Sequence, residues 1–386
     1  MDLKLFFSPI AEAVTSGNED LESLQYSISL FQHQMPDYKK CQLAIIGVPE
    51  YRGASGEVTF KEAADLVRNK LYRLRRSHHS YKIMDCGNLN PGMDLEETHK
   101  RLQEVCQFFL EKKIVPVIIG GSHDLDIAQY KAYQDREKLV SVLNVDAFID
   151  LEDDQEIEPE KNHIQKILLH EPNYLFHYSH LAYQSYLAGE KVVSLLEKMY
   201  FEAHRVGAIR ENIAEIEPVV RNADMLSFDL AAIKNTDAPG VANPQPFGLS
   251  GEEACQICWY AGQNEKLSSA GFYGYHPQND KEQNTAIVLA TMIWYFFEGF
   301  YNRKDTLKFW GNDYLKYVVS MPAEPENITF YKSKLSEKWY MEIPVKVNGE
   351  NFKFARNYIV PCSYSDYQMA GKGELPERYI NTLAKN

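Results

Sequence analysis

The sequence has no long apolar run. The longest one late in the chain, residues 286–297, falls well short of the roughly 20 residues that a helical membrane span needs. Basic residues are also in short supply: 41 Lys and Arg against 54 Asp and Glu leave a formal charge of −13. That balance argues against binding nucleic-acid phosphates or anionic lipid, which takes basic surface. The six cysteines show no framework spacing, as in a chain from a reducing compartment. The N-terminal Met-Asp-Leu-Lys-Leu-Phe-Phe-Ser lacks the pattern of a cleaved leader. No period of twenty to fifty residues repeats, which excludes a solenoid. A cytoplasmic location without membrane insertion is the expectation.

What is present is an ordinary globular composition, 45% hydrophobic and 25% charged across 386 residues, enough to bury a large core. Residues 1–40 read as an irregular or helical arm. Residues 41–300 alternate short apolar, β-branched runs with stretches of helical periodicity. Strands are expected at 42–49, 81–87, 114–121, 140–150, 174–177, 205–208, 224–230 and 269–275. Helices are expected at 60–76, 95–112, 124–135, 184–200, 251–261 and 284–300. This alternation predicts a three-layer α/β/α domain around a parallel sheet of about eight strands. Residues 301–386 change character. Runs at 327–331 and 338–347, with Val347-Asn-Gly-Glu350 as a hairpin turn into 352–358, predict a β-rich C-terminal extension.

Ligands of parallel sheets gather beyond the carboxyl ends of the strands. Three such ends carry polar clusters here. The third strand runs into Gly120-Gly121-Ser122-His123-Asp124, and the fourth ends in Asp146 and Asp150 with Phe148 between them. The seventh gives Ser227-Phe228-Asp229, followed by Asp237-Ala-Pro-Gly240. If the fourth strand runs through Asp150, then Asp146, Phe148 and Asp150 share one face. One imidazole and three carboxylates form a donor set for a divalent cation such as Mn2+; without a cation at least one carboxylate must titrate upward. Taken singly, each residue also fits a capping or solvated role.

Together, Gly120-Gly-Ser-His123, Asn144-Val-Asp-Ala-Phe-Ile-Asp150 and Ser227-Phe-Asp229 with Ala238-Pro-Gly240 resemble the ureohydrolase family of arginase, agmatinase and formiminoglutamase. Its signatures are Gly-Gly-x-His, Asp-Ala-His-x-Asp and Ser-Phe-Asp-x-Asp-x-x-Asp-Pro, in this order. The resemblance covers residues 40 to 300 or so and lies nearest the formiminoglutamase branch. It implies a hydrolase of C–N bonds in linear amidines or guanidines, working through two Mn2+ ions that activate water. The ligands of one ion are kept as His123, Asp146, Asp150 and Asp229. The private ligands of the second fall on Phe148 and Ala231, which cannot coordinate a metal. The glutamate that grips the substrate amidinium aligns with Gly274, and the last Asp-Pro of the third motif is Lys234-Asn235. His163 lies about where the family places a proton-shuttling histidine, although within an acidic connector it reads as a surface residue.

These substitutions predict at most one divalent ion, and a family member degenerate in catalysis that serves as a binding or assembly module. The alternative is a one-metal hydrolase of formiminoglutamate-like amidines. The resemblance also implies protein partners or self-association, since ureohydrolases often form trimers or hexamers. Cys255-Gln-Ile-Cys258 has zinc or redox spacing but no second pair, and it reads as helical core. Lys234 reads as a solvated loop lysine. The aromatic stretch at 295–317 reads as core packing or as a partner surface.

Overall fold

Alternate residues along a buried strand face opposite ways, and here each face meets its own helix layer. In β3 (Leu43–Gly47), Leu43 and Ile45 pack into one core cluster while Ala44 and Ile46 pack into the other. The first cluster includes residues of helices Ala63–Leu71, Gly251–Gly262 and Asn284–Tyr301. The second includes residues of Leu95–Glu111, Asp126–Lys131 and His163–Leu168. Burying side chains on both faces is what makes these strands continuously apolar rather than alternating. The computed structural model describes residues 1–54, 60–136, 138–151, 157–344 and 357–385.

Among the described residues the main sheet has ten strands. They are β1 (Phe7–Ser8), β2 (Ile28–Leu30), β3, β4 (Ile83–Leu89), β5 (Val115–Ile119), β6 (Val140–Val145), β7 (Leu175–Tyr183), β8 (Glu202–Arg205), β9 (Met225–Asp229) and β10 (Ser269–Tyr273). Their order is β1-β4-β3-β5-β10-β9-β6-β7-β8, with β2 also on β4. All pairings among β3 to β10 are parallel, which gives the expected three-layer α/β/α fold. The chain moves outward through β4, returns to β5, and comes back to the centre through β9 and β10. The carboxyl ends of β5, β10, β9 and β6 therefore stand side by side, where a cleft is expected.

Three local expectations are corrected. Residues 1–40 are not merely an arm: β1 pairs antiparallel with β4 and β2 pairs parallel with it, so they complete one edge of the sheet. The strand expected at 205–208 lies earlier, at β8, and Val206–Glu211 is a helix. The strand expected at 140–150 stops at Val145.

Among the described residues the C-terminal extension forms a four-stranded antiparallel sheet of β11 (Tyr314–Ser320), β12 (Asn327–Ser333), β13 (Trp339–Pro344) and β14 (Asn357–Cys362). Two helices, Tyr364–Gly371 and Glu377–Ala384, follow it. The expected turn at 347–350 and most of the strand expected at 352–358 lie outside the described residues. Arg221 fastens this sheet to the main domain, donating to the carbonyl oxygens of Trp339 at 3.1 Å and Cys362 at 3.2 Å. Among the described residues, no helix is long and apolar enough to cross a membrane.

Candidate metal centre

The turn after β5 can pass only because it is glycine. A Cβ on Gly121 would come 1.7 Å from the backbone oxygen of Glu50. The chain then enters a short 3-10 turn, His123–Leu125, that leads into helix Asp126–Lys131. This delivers His123, 3% exposed, to the sheet's centre. Asp146 follows directly on β6 and Asp229 ends β9.

Because β6 stops at Val145, the alternation expected for Asp146, Phe148 and Asp150 does not arise from a strand. A tight turn takes its place, in which the Phe148 N–H donates to Asp146 Oδ1 at 3.1 Å. All three residues still line one cavity of about 160 Å3, together with His123, Asp229, Ala231, Gly274 and Glu160.

His163 corrects the reading as a surface residue. It is fully buried, because Asn162, Ile164 and Ile167 around it are buried too and carry its helix into the core. Its ring centroid lies 4.1 Å from that of His123. The connector is likewise not wholly solvated: Glu160, at its end, faces the cavity. Asp124 turns away and meets His99 Nε2 at 2.7 Å.

Asp126, which motif reading passed over, orients both imidazoles. Its Oδ2 stands 2.8 Å from His163 Nδ1 and accepts from the Ser227 hydroxyl at 3.0 Å. Ser227 Oγ in turn lies 2.9 Å from His123 Nε2. The remaining ring nitrogens, His123 Nδ1 and His163 Nε2, are buried and have no hydrogen-bond partner. His123 Nδ1 sits 3.2 Å from Asp146 Oδ2 and 3.3 Å from Asp229 Oδ2. His163 Nε2 sits 3.5 Å from Asp150 Oδ2. The sequence signal for Asp126 was its place three residues after His123, one helical turn on.

The electrostatics match a cleft that wants positive charge. Burial, then the Asp150 charge, pushes Asp146 well above the carboxylate range. Burial and the Asp146 charge raise Asp229 to about 7. Burial, with Asp229, Asp124 and Asp150 nearby, raises Glu160 to about 8. Burial opposes a charge on His163, yet Asp126 and Asp150 outweigh it and lift its pKa well above the ordinary value. Burial and the neighbouring His163 lower His123. Crowded carboxylates with two orphaned imidazole nitrogens fit a divalent cation. One donor atom from each of His123, Asp146, Asp150 and His163 lies within 4.8 Å of the others. Asp229, expected as the fourth ligand, stands beside this set rather than in it.

Phe148 and Ala231 form wall on the same cavity, and Gly274 leaves no room for a side chain. Its φ is +80°, and a Cβ there would meet Asp229 Oδ1 at 2.7 Å. Lys234 pairs with Asp237 at 3.4 Å, and Asp237 also caps the Gly251 N–H at 2.9 Å. Neither lines the cavity. Cys255 and Cys258 are free and buried in a helix, and they join no metal-competent group among the described residues.

Residues 41–298 match the family model described as the Arginase family. The formimidoylglutamase of Vibrio cholerae is 24% identical over 282 residues, covering 64% of this chain and 79% of that protein. Its counterpart from Staphylococcus aureus is 23% identical over 296 residues, covering 72% and 90%. Among solved structures, the Trypanosoma cruzi formiminoglutamase with Mn2+ superposes with a TM-score of 0.64 at 23% identity, covering 69% of this chain and 96% of that one. The Bacillus subtilis formimidoylglutamase gives 0.66 at 20% identity, covering 74% and 94%.

Proposed function

The chain belongs to the arginase family, and from that premise we propose that it is a formiminoglutamase-like member whose cleft holds one divalent cation and does not run the family's two-ion hydrolysis. What carries this reading is the wall of the cavity. Phe148 and Ala231 occupy the positions where the family motifs place the second ion's own ligands, and both line the site. At Gly274 the amidinium-gripping glutamate is absent, and the positive φ with Asp229 packed close leaves no space for one. His123, Asp146 and Asp150, with Asp229 or His163, would hold the remaining ion. Bound there, it would neutralise the buried carboxylates and supply Lewis acidity to a ligand in the cavity. The cleft then serves binding. The surface, including the C-terminal sheet, serves a protein partner or self-association.

A second reading has its own support. The donors converge rather than splay, as they would in a one-metal hydrolase of linear amidines such as formiminoglutamate. Elemental analysis of the purified protein, with an assay panel of formiminoglutamate, arginine, agmatine and guanidinobutyrate, separates the two. One equivalent of divalent ion without turnover supports the binding role. Turnover at an enzyme-like rate selects the hydrolase. A metal-free protein, indifferent to chelators, ends both.

A further inference from the structure

The structure assigns His163 as a direct ligand, in a site of two imidazoles and two carboxylates formed by His123, Asp146, Asp150 and His163, suited to a borderline cation of the Zn2+ and Co2+ class. This rests on the one-cation reading above and goes beyond it in naming the fourth donor and the class of ion.

The first support is tautomeric. A metal-binding histidine gives its other N–H to a carboxylate, carbonyl or similar partner, which fixes which nitrogen carries the lone pair. His163 meets this condition: Nδ1 is 2.8 Å from Asp126 Oδ2, and Nε2 is left buried without a hydrogen bond. His123 meets it in mirror fashion, with Nε2 held by Ser227 at 2.9 Å and Nδ1 left over. A proton-shuttling residue needs a path to solvent or substrate, and His163 is 0% exposed.

The second support is spacing. Two donors sharing an ion at bonds of about 2.0–2.2 Å stand roughly 3–3.6 Å apart. His123 Nδ1 to Asp146 Oδ2 is 3.2 Å, and His163 Nε2 to Asp150 Oδ2 is 3.5 Å. Asp229 Oδ2 is also near His123, at 3.3 Å. However, it does not share the common 4.8 Å grouping of the other four.

The third support is donor chemistry. One imidazole with three carboxylates, the set expected from the motifs, suits Mn2+. Exchanging a carboxylate for a second imidazole moves the site toward ions that favour nitrogen.

The test uses the full chain, stripped with a chelator and reloaded with Co2+. A paramagnetic ion displaces the ring N–H resonance of each ligating histidine. Two strongly shifted, solvent-exchangeable proton signals are expected, from His123 Nε2–H and His163 Nδ1–H, with the intense visible bands of four-coordinate Co2+. One such signal overturns the assignment, whatever the stoichiometry. His163→Gln is expected to weaken Co2+ and Zn2+ binding by about 100-fold or more, and Asp229→Asn to change it by less than about 10-fold. The reverse pattern restores Asp229 as the ligand and overturns the proposal while leaving the one-cation reading intact. Failure of the unmodified chain to take up any Co2+ or Zn2+ overturns both.

Discussion

His123 and His163 face each other with ring centroids 4.1 Å apart, and a single carboxylate, Asp126, lies behind both. It accepts from His163 directly and reaches His123 through the Ser227 hydroxyl. Two like-natured bases held this close, one free nitrogen toward Asp146 and Asp229 and the other toward Asp150, have a use when a cation stands between them.

Asp126→Ala therefore acts on both imidazoles at once. Without the acceptor, either ring nitrogen of His163 is free to carry the proton and Ser227 loses its anchor. Divalent-metal affinity, measured by calorimetric titration, is expected to fall about 10–100-fold. Stability in the chelated protein is expected to fall by about 1–3 kcal/mol from the unpaired buried donors. Unchanged affinity would show that the ion does not rely on these histidines.

Two carboxyl groups of the cavity make a distinct contribution to the pH dependence of the metal-free protein. Asp229 at about 7 and Glu160 at about 8 lie above their ordinary values of 3.8 and 4.5. Between those limits the folded state holds more protons than the unfolded chain, so stability falls as pH rises. Their contribution is fully present below about pH 4 and lost through about pH 8. Melting temperatures across this range, with chelator and with a saturating divalent ion, are expected to slope downward in the first series. The second should be flatter, because the ion replaces the protons. Parallel curves would mean that the ion does not sense these carboxylates.

Gly274→Glu is expected to restore no amidinium binding. The φ of +80° and the 2.7 Å approach to Asp229 Oδ1 strain any side chain at this position, for a loss of about 1–3 kcal/mol in urea unfolding. A gain of amidine affinity in this variant would show that the backbone can move aside.

The two wall positions offer the converse change. Phe148→His with Ala231→Asp returns ligand-bearing side chains to the cavity beside Asp146 and Asp229. Metal stoichiometry by elemental analysis is expected to rise from one to two per chain. A double variant that still takes up one ion would place the loss of the second elsewhere than in these residues.

Much of this was legible in the sequence, for reasons that differ by element. The strands at the centre of the sheet are buried on both faces, so runs such as Val115–Ile119 stand out against their polar surroundings. His123, Asp146 and Asp229 follow strand ends, where ligand-binding residues collect. The short edge strands β1 and β2 leave almost no apolar signature in two or three residues. Asp150 and Phe148 come to the cavity through a turn, which periodicity does not encode. His163 follows an acidic connector of no regular pattern, and its burial depends on a helix of only six residues. Asp126 belongs to no motif. Its one signal is its place three residues after His123, and its role shows only when one asks what holds the histidines' other nitrogens.

Arg221 sets how the C-terminal sheet is carried. It is 3% exposed, bound to Glu217 at 2.8 and 3.0 Å, and seated 4.4 Å over the Tyr340 ring while it donates to the Trp339 and Cys362 carbonyls. Arg221→Ala removes these bonds together and leaves Glu217 without its partner, at a cost of about 3–5 kcal/mol. The loss falls between the two sheets rather than within either. Limited proteolysis is expected to cut near residues 301–313 faster than in the unmodified chain, while metal uptake at His123 stays the same. If the ion is lost along with the sheet, the extension does more than dock: it supports the centre through the helix Glu217–Arg221 and β9, which follows that helix and ends at Asp229.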